Sequence, residues 1–351
     1  MGCQLTNNHK TNNKTNMYNS KITGLGYYVP ENVVTNDDLA QFMETSDEWI
    51  QERTGIKERR WIDPTSDDST SVMGAKAAKI AIERAGLTKD DIDFIVFATL
   101  SPELYFPGGG VQVQDLLDMP TIGALDVRNQ CSGFIYAMSV ADQFIKTGMY
   151  KNVLVIGSEN HSGGLDRSTR GRGVTVIFGD GAGAAVLSRS EEEGKGILSS
   201  HLHSEGKHAK ELVLEGPSTG HWVPEILKKN DPTDVSYYPH MNGQFVFKHA
   251  VVRFSEAIIE GLQANGLQKE DIDMLIPHQA NLRIAQFIQK KFQLPDDKVY
   301  NNIMKYGNTT AASVIIALTE AWEKGKIKDG DLVVLAAFGS GFTWGSVVIR
   351  W

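Results

Sequence analysis

Cysteine is nearly absent from this chain. Two thiols in 351 residues, Cys3 and Cys131, cannot build a disulfide framework or a thiolate metal site. No apolar run approaches the roughly 18 residues of a membrane-spanning helix, so none is expected. Positive charge is not in surplus either. Lys+Arg number 35 against 43 Asp+Glu, a net charge of −8, which argues against a general nucleic-acid binder. A local basic patch that docks an acidic partner stays possible. The first residues, Met1 to Asn16, lack the apolar core of a secretion signal and are rich in Asn, Lys and Thr. Residues 1–20 therefore read as a disordered tail, and Cys3 within it as a spectator. Met1-Gly2-Cys3-Gln4-Leu5-Thr6 matches the short myristoylation pattern, a loose one with no other support. A reducing, cytoplasmic setting is the expectation.

What the chain does have is a repeat. Ala81-Ile-Glu-Arg-Ala-Gly86-Leu-Thr-Lys89-Asp-Asp91-Ile92-Asp93-Phe-Ile95 matches Gly261-Leu-Gln-Ala-Asn-Gly266-Leu-Gln-Lys269-Glu-Asp271-Ile272-Asp273-Met-Leu275, 180 positions on. Each copy reads as a helix, a glycine stop, a turn and a buried strand. At the same offset, Asn152-Val-Leu-Val-Ile156 faces Leu332-Val-Val-Leu-Ala336, two further apolar strands. The chain thus divides into two similar α/β halves, residues 21–190 and 191–351, with 41% hydrophobic residues to fill their cores. Apolar strands alternating with helices predict largely parallel sheets covered on both faces.

The second thiol stands at a chemically useful place. Ala124-Leu-Asp-Val127 reads as a short buried strand and Gly133 to Ile145 as an apolar helix, so Cys131 falls at a strand-to-helix turn. Unpaired N–H groups and the helix dipole there favour an anion and should lower the thiol pKa. A thiolate is the nucleophilic form. His278 follows a buried strand in Met274-Leu-Ile-Pro277-His278-Gln279, and Asn308 lies in Tyr306-Gly307-Asn308-Thr-Thr-Ala311-Ala-Ser313. Position 311 is the repeat equivalent of Cys131, so the second half puts Asn308 near the matching turn. Two pseudo-symmetric halves can bring the three side chains together at their interface.

At this point the chain resembles the β-ketoacyl-acyl-carrier-protein synthase III family. The likeness is carried by Asp126-Val-Arg-Asn-Gln-Cys131-Ser-Gly-Phe, Pro277-His278-Gln-Ala-Asn281-Leu-Arg283, Gly307-Asn308-Thr-Thr-Ala-Ala-Ser313 and Phe338-Gly-Ser340-Gly-Phe-Thr-Trp-Gly345. Thr45-Ser-Asp-Glu-Trp49-Ile-Gln-Glu-Arg53-Thr-Gly55 and Phe178-Gly-Asp-Gly-Ala-Gly-Ala-Ala185 also fit, so the resemblance runs from Lys21 to Trp351. It implies a thiolase-like fold, two α/β/α/β/α halves in a five-layered structure, and a homodimer. It implies that Cys131 takes an acyl group from coenzyme A, and that His278 and Asn308 assist decarboxylation of malonyl-acyl carrier protein. The backbone N–H groups of Cys131 and Ser340 would form the oxyanion hole. Trp49, Arg53 and Arg172 would hold the nucleotide, Lys248 and Asn281 would line the pantetheine path, and Phe106 would border the acyl pocket. Arg283, Lys290 and Lys291 would dock the acidic carrier protein. No metal and no cofactor beyond the coenzyme A thioester substrate is implied.

Related chemistries fit less well. A degradative thiolase needs a second catalytic cysteine, and Cys3 lies in the tail. Elongating ketosynthases use two histidines, where this chain has Asn308. Papain-like hydrolases share a Cys-His-Asn set, but not its local signature or the repeat. Two other motifs are decoys. Gly179-Asp-Gly181-Ala-Gly183 mimics a dinucleotide loop, but Ala184-Ala-Val-Leu187 after it reads as a strand where the fingerprint needs a helix. Gly216-Pro-Ser218-Thr-Gly220 mimics a nucleophile elbow, yet Pro224 follows and no helix starts. The chain departs from the family at Asn129, Gln130, Ser340 and the Gly-rich Phe106-Pro-Gly-Gly-Gly110. These departures bear on primer choice and admit a secondary-metabolic paralogue as an alternative. A non-catalytic thioester-binding paralogue is the more distant one.

Overall fold

The computed structural model describes residues 18–218, 231 and 233–351. The first half supplies β1 (Asn19–Tyr28), a small ribbon of β2 (Val33–Thr35) and β3 (Glu58–Arg60), then β4 (Phe94–Ala98), β5 (Gly123–Val127), β6 (Asn152–Glu159) and β7 (Gly181–Ser190). Its helices are α1 (Asn36–Ala40), α2 (Asp47–Thr54), α3 (Thr70–Arg84), α4 (Gly109–Leu116), α5 (Gly133–Lys146) and α6 (Arg172–Thr175). The second half supplies β8 (Gly196–Ser204), a ribbon of β9 (Leu212–Val213) and β10 (His240–Met241), then β11 (Met274–Pro277), β12 (Leu332–Gly339) and β13 (Thr343–Arg350). Its described helices are α7 (Gly243–Ala264), α8 (Leu282–Phe292), α9 (Ile303–Tyr306) and α10 (Ala312–Glu323). The main sheets run β1-β7-β6-β4-β5 and β11-β12-β13-β8.

The repeat folds as a repeat. Helices α3 and α7 end just before Gly86 and Gly266, whose φ of +69° and +66° only glycine takes without strain. Matching 3-10 turns, Lys89–Asp91 and Lys269–Asp271, lead into β4 and β11. Helices α5 and α10 lie between the two sheets. Phe134, Ile135 and Met138 of α5 and Val314, Ile315 and Leu318 of α10 pack against Val96 and Val155 on one side, and Val333 and Leu335 on the other. Helix α10 is buried at every residue from Ala312 to Ala321, with Ser313, Thr319 and Glu320 among its apolar side chains. The opposite face of the first sheet is covered by α3, through Met73, Ala77 and Ala81. That of the second is covered by α7 and α8, through Phe254, Ile258, Ile284 and Ile288. Five layers result, and β6 and β12 are buried at every residue.

Three expectations change. The first strand starts at Asn19, inside the segment read as tail, because Asn19 and Ser20 pair with Ser190 and Arg189 and the Ser20 hydroxyl binds the buried Asp142. The rest of that segment lies outside the described residues. The sheets are mixed rather than largely parallel: β4–β5, β4–β6 and β11–β12 are parallel, while β1–β7, β6–β7, β12–β13 and β13–β8 are antiparallel. Strand β13 follows β12 after a tight turn, which permits only antiparallel pairing. Strand β5 is not buried either, since it forms the sheet edge and Leu125 stays 39% exposed.

The dinucleotide-like motif falls away as a site. Strand β7 begins at Gly181, so no helix follows the glycine-rich run. Residues 219 and 220 of the elbow-like motif lie outside the described residues.

Candidate active site

Cys131 sits in a 3-10 turn, Gln130–Ser132, between β5 and α5. The preceding Gln130 is held at φ +44°, a left-handed conformation that a non-glycine residue takes only when its surroundings force it. The side chain is buried, and the backbone N–H groups of Cys131 and Ser340 both bear on its sulfur. The thiol pKa nonetheless moves opposite to the expectation. Burial pushes it up to about 12, the nearby Glu159 carboxylate adds to the rise, and the two N–H groups only partly offset it. The turn stands ahead of α5 rather than in its first turn, and desolvation outweighs the helix end.

Glu159 closes the end of β6. It is fully buried and accepts from Thr99 Oγ1 at 3.1 Å, Ser101 Oγ at 2.6 Å and the Ala311 N–H at 3.4 Å. Burial raises its own pKa to about 7. Across the interface, Gly339 passes directly over Cys131. A Cβ at position 339 would lie 2.5 Å from Cys131 Cβ and 3.0 Å from Sγ. Gly339→Ala should therefore displace the sulfur and cost roughly 1–3 kcal/mol by overpacking. A melting curve and a Cys131 loading assay check this; unchanged loading in a stable variant would mean the loop yields freely.

The other two members of the triple come from the second half. His278 follows β11 and donates its backbone N–H to Ala336 O at 2.8 Å. Its Nδ1 meets Ser313 Oγ, while Nε2 is buried and has no partner among the described residues. Burial alone lowers the imidazole pKa to about 3, so the ring is neutral. Asn308 is tied to the first half through its N–H to Ile177 O at 2.9 Å and its carbonyl to Gly179 N at 3.1 Å. Its Oδ1 accepts the Thr310 N–H at 2.8 Å, which leaves the NH2 end of the amide as the donor. Cys131, His278 and Asn308 line one cavity of about 580 Å³.

Ser340 stands where the family motif has glycine, and its geometry explains how. The hydroxyl turns away to the Leu212 carbonyl of β9, and the Ser340 carbonyl accepts from Thr343 Oγ1 at 3.0 Å. Thr343 in turn meets Ser132 Oγ at 2.8 Å. The serine side chain thus leaves its own N–H aimed at the sulfur.

The binding residues divide. Trp49 and Arg53 line the cavity, and Arg53 and Arg172 place their guanidinium carbons 4.4 Å and 4.6 Å from the Trp49 ring centre. Lys248 and Arg283 also line it. Asn281 lines it too, but its amide is already engaged: Oδ1 accepts the Arg283 N–H at 2.9 Å, and Nδ2 donates to Arg53 O at 2.9 Å. It thus caps α8 and ties it to α2, and one N–H and one lone pair of its amide remain. Phe106 is not in the cavity of its own chain and is 83% exposed. Its loop leads outward into α4, whose Gly109 and Gly110 N–H groups are held by Asp126 of the edge strand at 2.6 Å and 2.9 Å. Arg283, Lys290 and Lys291 are exposed along α8, and among the described residues none is ion-paired.

Sequence reasoning missed Ser313, Thr310 and Glu159. The first two lie within the Asn308 motif, but nothing local distinguishes a serine that serves a histidine 35 positions away from one that caps a helix. Glu159 carries a signal in the sequence: the one charged residue in the strand Asn152–Glu159, at its end.

A buried thiol, a neutral imidazole and a carboxamide meet between two pseudo-symmetric halves in five layers, the arrangement of a condensing acyltransferase of the thiolase fold. The family model for 3-oxoacyl-[acyl-carrier-protein] synthase III matches residues 125–206, and its C-terminal model matches residues 262–351. The chain is 49% identical over 333 residues to β-ketoacyl-[acyl-carrier-protein] synthase III of Caldanaerobacter subterraneus subsp. tengcongensis, covering 94% of this chain and 97% of that one. The crystal structure of 3-oxoacyl-[acyl-carrier-protein] synthase III from Aquifex aeolicus superposes with a TM-score of 0.86 at 42% identity, over 95% of this chain and all of that one. The priming β-ketosynthase of the R1128 polyketide pathway superposes with a TM-score of 0.85 at 30% identity, over 95% and 97% of the two chains. The chain belongs to the β-ketoacyl-acyl-carrier-protein synthase III family.

Proposed function

We propose that this enzyme carries out the condensation that initiates fatty acid synthesis. An acyl-CoA enters with its nucleotide against Trp49, Arg53 and Arg172 and its thioester at Cys131. The sulfur attacks the carbonyl, the N–H groups of Cys131 and Ser340 hold the oxyanion, and coenzyme A leaves as its thiol with the proton that Cys131 gives up. Malonyl-acyl carrier protein then occupies the same cavity. Its carboxylate departs as CO2, and the electrons left behind form an enolate whose oxygen accepts from His278 Nε2–H and the Asn308 amide. The enolate carbon attacks the acyl-enzyme, and β-ketoacyl-acyl carrier protein leaves as the Cys131 thiolate takes up a proton from solvent. The observation that carries this reading is the meeting of the buried thiol, the unpartnered Nε2 and the oriented amide on one cavity.

A free thiol nucleophile suits a reducing compartment, so we place the reaction in the cytoplasm. A homodimer fits the edge of the first sheet. Strand β5 exposes unpaired backbone groups, and Leu104 (46%), Tyr105 (67%), Phe106 (83%) and Leu116 (49%) expose apolar surface close by. Phe106, which points out of its own chain, would then border the acyl pocket of a second copy.

Purified protein given a panel of acyl-CoAs with malonyl-acyl carrier protein should yield β-ketoacyl-acyl carrier protein by mass spectrometry. No product from any primer would sink the reading. A product only from unusual primers would favour the secondary-metabolic reading, which the likeness to the R1128 priming enzyme supports. Charge reversal at Lys290 and Lys291 should raise KM for malonyl-acyl carrier protein roughly tenfold and weaken its salt dependence, with KM for acyl-CoA nearly unmoved. Steady-state kinetics at two ionic strengths decide it; unchanged carrier-protein kinetics would return α8 to an ordinary solvated face. Reversing Arg283 should move both constants, because Arg283 also lines the cavity.

A further inference from the structure

The geometry points to Ser313 as the residue that fixes which nitrogen of His278 carries the hydrogen. Ser313 is the second residue of α10 and is 2% exposed. Its oxygen has two neighbours. It accepts the backbone N–H of Gln279 at 3.3 Å and meets Nδ1 of His278. A backbone N–H can only donate. Among the described residues the hydroxyl has no third partner, so its hydrogen goes to the other neighbour and Nδ1 is the unprotonated nitrogen. In a neutral ring the single hydrogen then sits on Nε2. That atom is buried, has no partner among the described residues, and belongs to a side chain lining the cavity with Cys131 and Asn308.

The opposite tautomer is unfavourable at both ends. It would aim two N–H groups at one serine oxygen and strand the hydroxyl hydrogen in a buried place. It would also turn a lone pair of Nε2 toward the cavity, where a developing enolate oxygen needs a donor. Ser313 does not itself line the cavity, so it is a positioning residue that acts through His278. The assignment rests on the proposed condensation only for what the Nε2 hydrogen is used for; the tautomer follows from the hydrogen bonds alone.

Two measurements test it. In the whole protein labelled with 15N-histidine, the His278 ring signals, assigned by their loss in His278→Asn, should show Nε2 protonated and Nδ1 unprotonated. Ser313→Ala should release this preference and populate both tautomers. In kinetics, Ser313→Ala should lower malonyl decarboxylation roughly tenfold or more in kcat, with KM and Cys131 loading within about twofold. Ser313→Thr, which keeps the hydroxyl, should restore most of the loss. A wild-type spectrum with the hydrogen on Nδ1 overturns the assignment. So does Ser313→Ala with unchanged decarboxylation, or a threonine variant as impaired as the alanine one. If no thioester is condensed but the wild-type spectrum is as expected, the functional reading falls and the tautomer assignment stands.

Discussion

Cys131→Ser is expected to abolish condensation, with a loss of roughly 10⁴-fold or more, and to leave no acyl mass on the protein after incubation with a short acyl-CoA. A cysteine sulfur can attack a thioester and later leave again, and among the described residues Cys131 is the one cysteine, buried where the two halves meet. The substitution is nearly isosteric at a buried site, so the fold should survive it. Intact-mass analysis of the wild type should show one added acyl group, mapped to the peptide that holds Cys131. Acylation that persists in Cys131→Ser and maps elsewhere would refute the assignment. Cys3→Ser, outside the described residues, should leave activity unchanged. Because the thiol is held up at about 12, the loading rate should keep climbing above the roughly pH 8.5 at which an ordinary thiol levels off. The sign follows from burial: a raised pKa lowers the thiolate fraction at neutral pH, and each step upward in pH restores some of it.

The second large effect concerns the division of labour. His278→Ala and Asn308→Ala should each lower condensation by roughly 10²–10³-fold, the usual cost of removing one preorganised donor to an oxyanion. Both variants should still take label from acyl-CoA onto Cys131, since the enolate that these groups serve arises only after loading. The double variant should lose less than the product of the single losses, because the two donors serve one oxygen. Label uptake and CO2 release, measured separately, distinguish the steps. Equal loss in both half-reactions would show that the imidazole and the amide also serve the acyl transfer.

Much of this architecture was legible from residue order. The offset of 180 located the paired helices, turns and strands, and the positions of Cys131, His278 and Asn308 within it pointed to one site. The thiol pKa was not legible, because local position suggests a helix end whereas burial by the opposing half decides it. The orientation of the sheets was hidden for a similar reason. An apolar run such as Val333-Val-Leu-Ala336 is buried on both faces whichever way its neighbour runs. Asn281 reads as a binding residue from its motif and lines the cavity; that it also caps a helix was hidden, since a side chain at a strand-to-helix junction serves whichever backbone lies nearest. Phe106 could not be placed from one chain's sequence, because the direction of its loop depends on the sheet edge that it leaves.

The repeat also breaks its own symmetry. Position for position, Ala311 answers to Cys131 and Glu159 answers to Gly339. On one side of the pseudo-dyad a bare glycine passes over a thiol and leaves it room to react. On the other, a buried carboxyl plugs the matching crevice and holds the N–H of the alanine that replaced the nucleophile. A fold with two superposable crevices has kept one as a reaction vessel and turned the other into a strut. With Cys131 as the proposed loading site, each chain is expected to carry a single acyl group, a stoichiometry set by the asymmetry between the two halves.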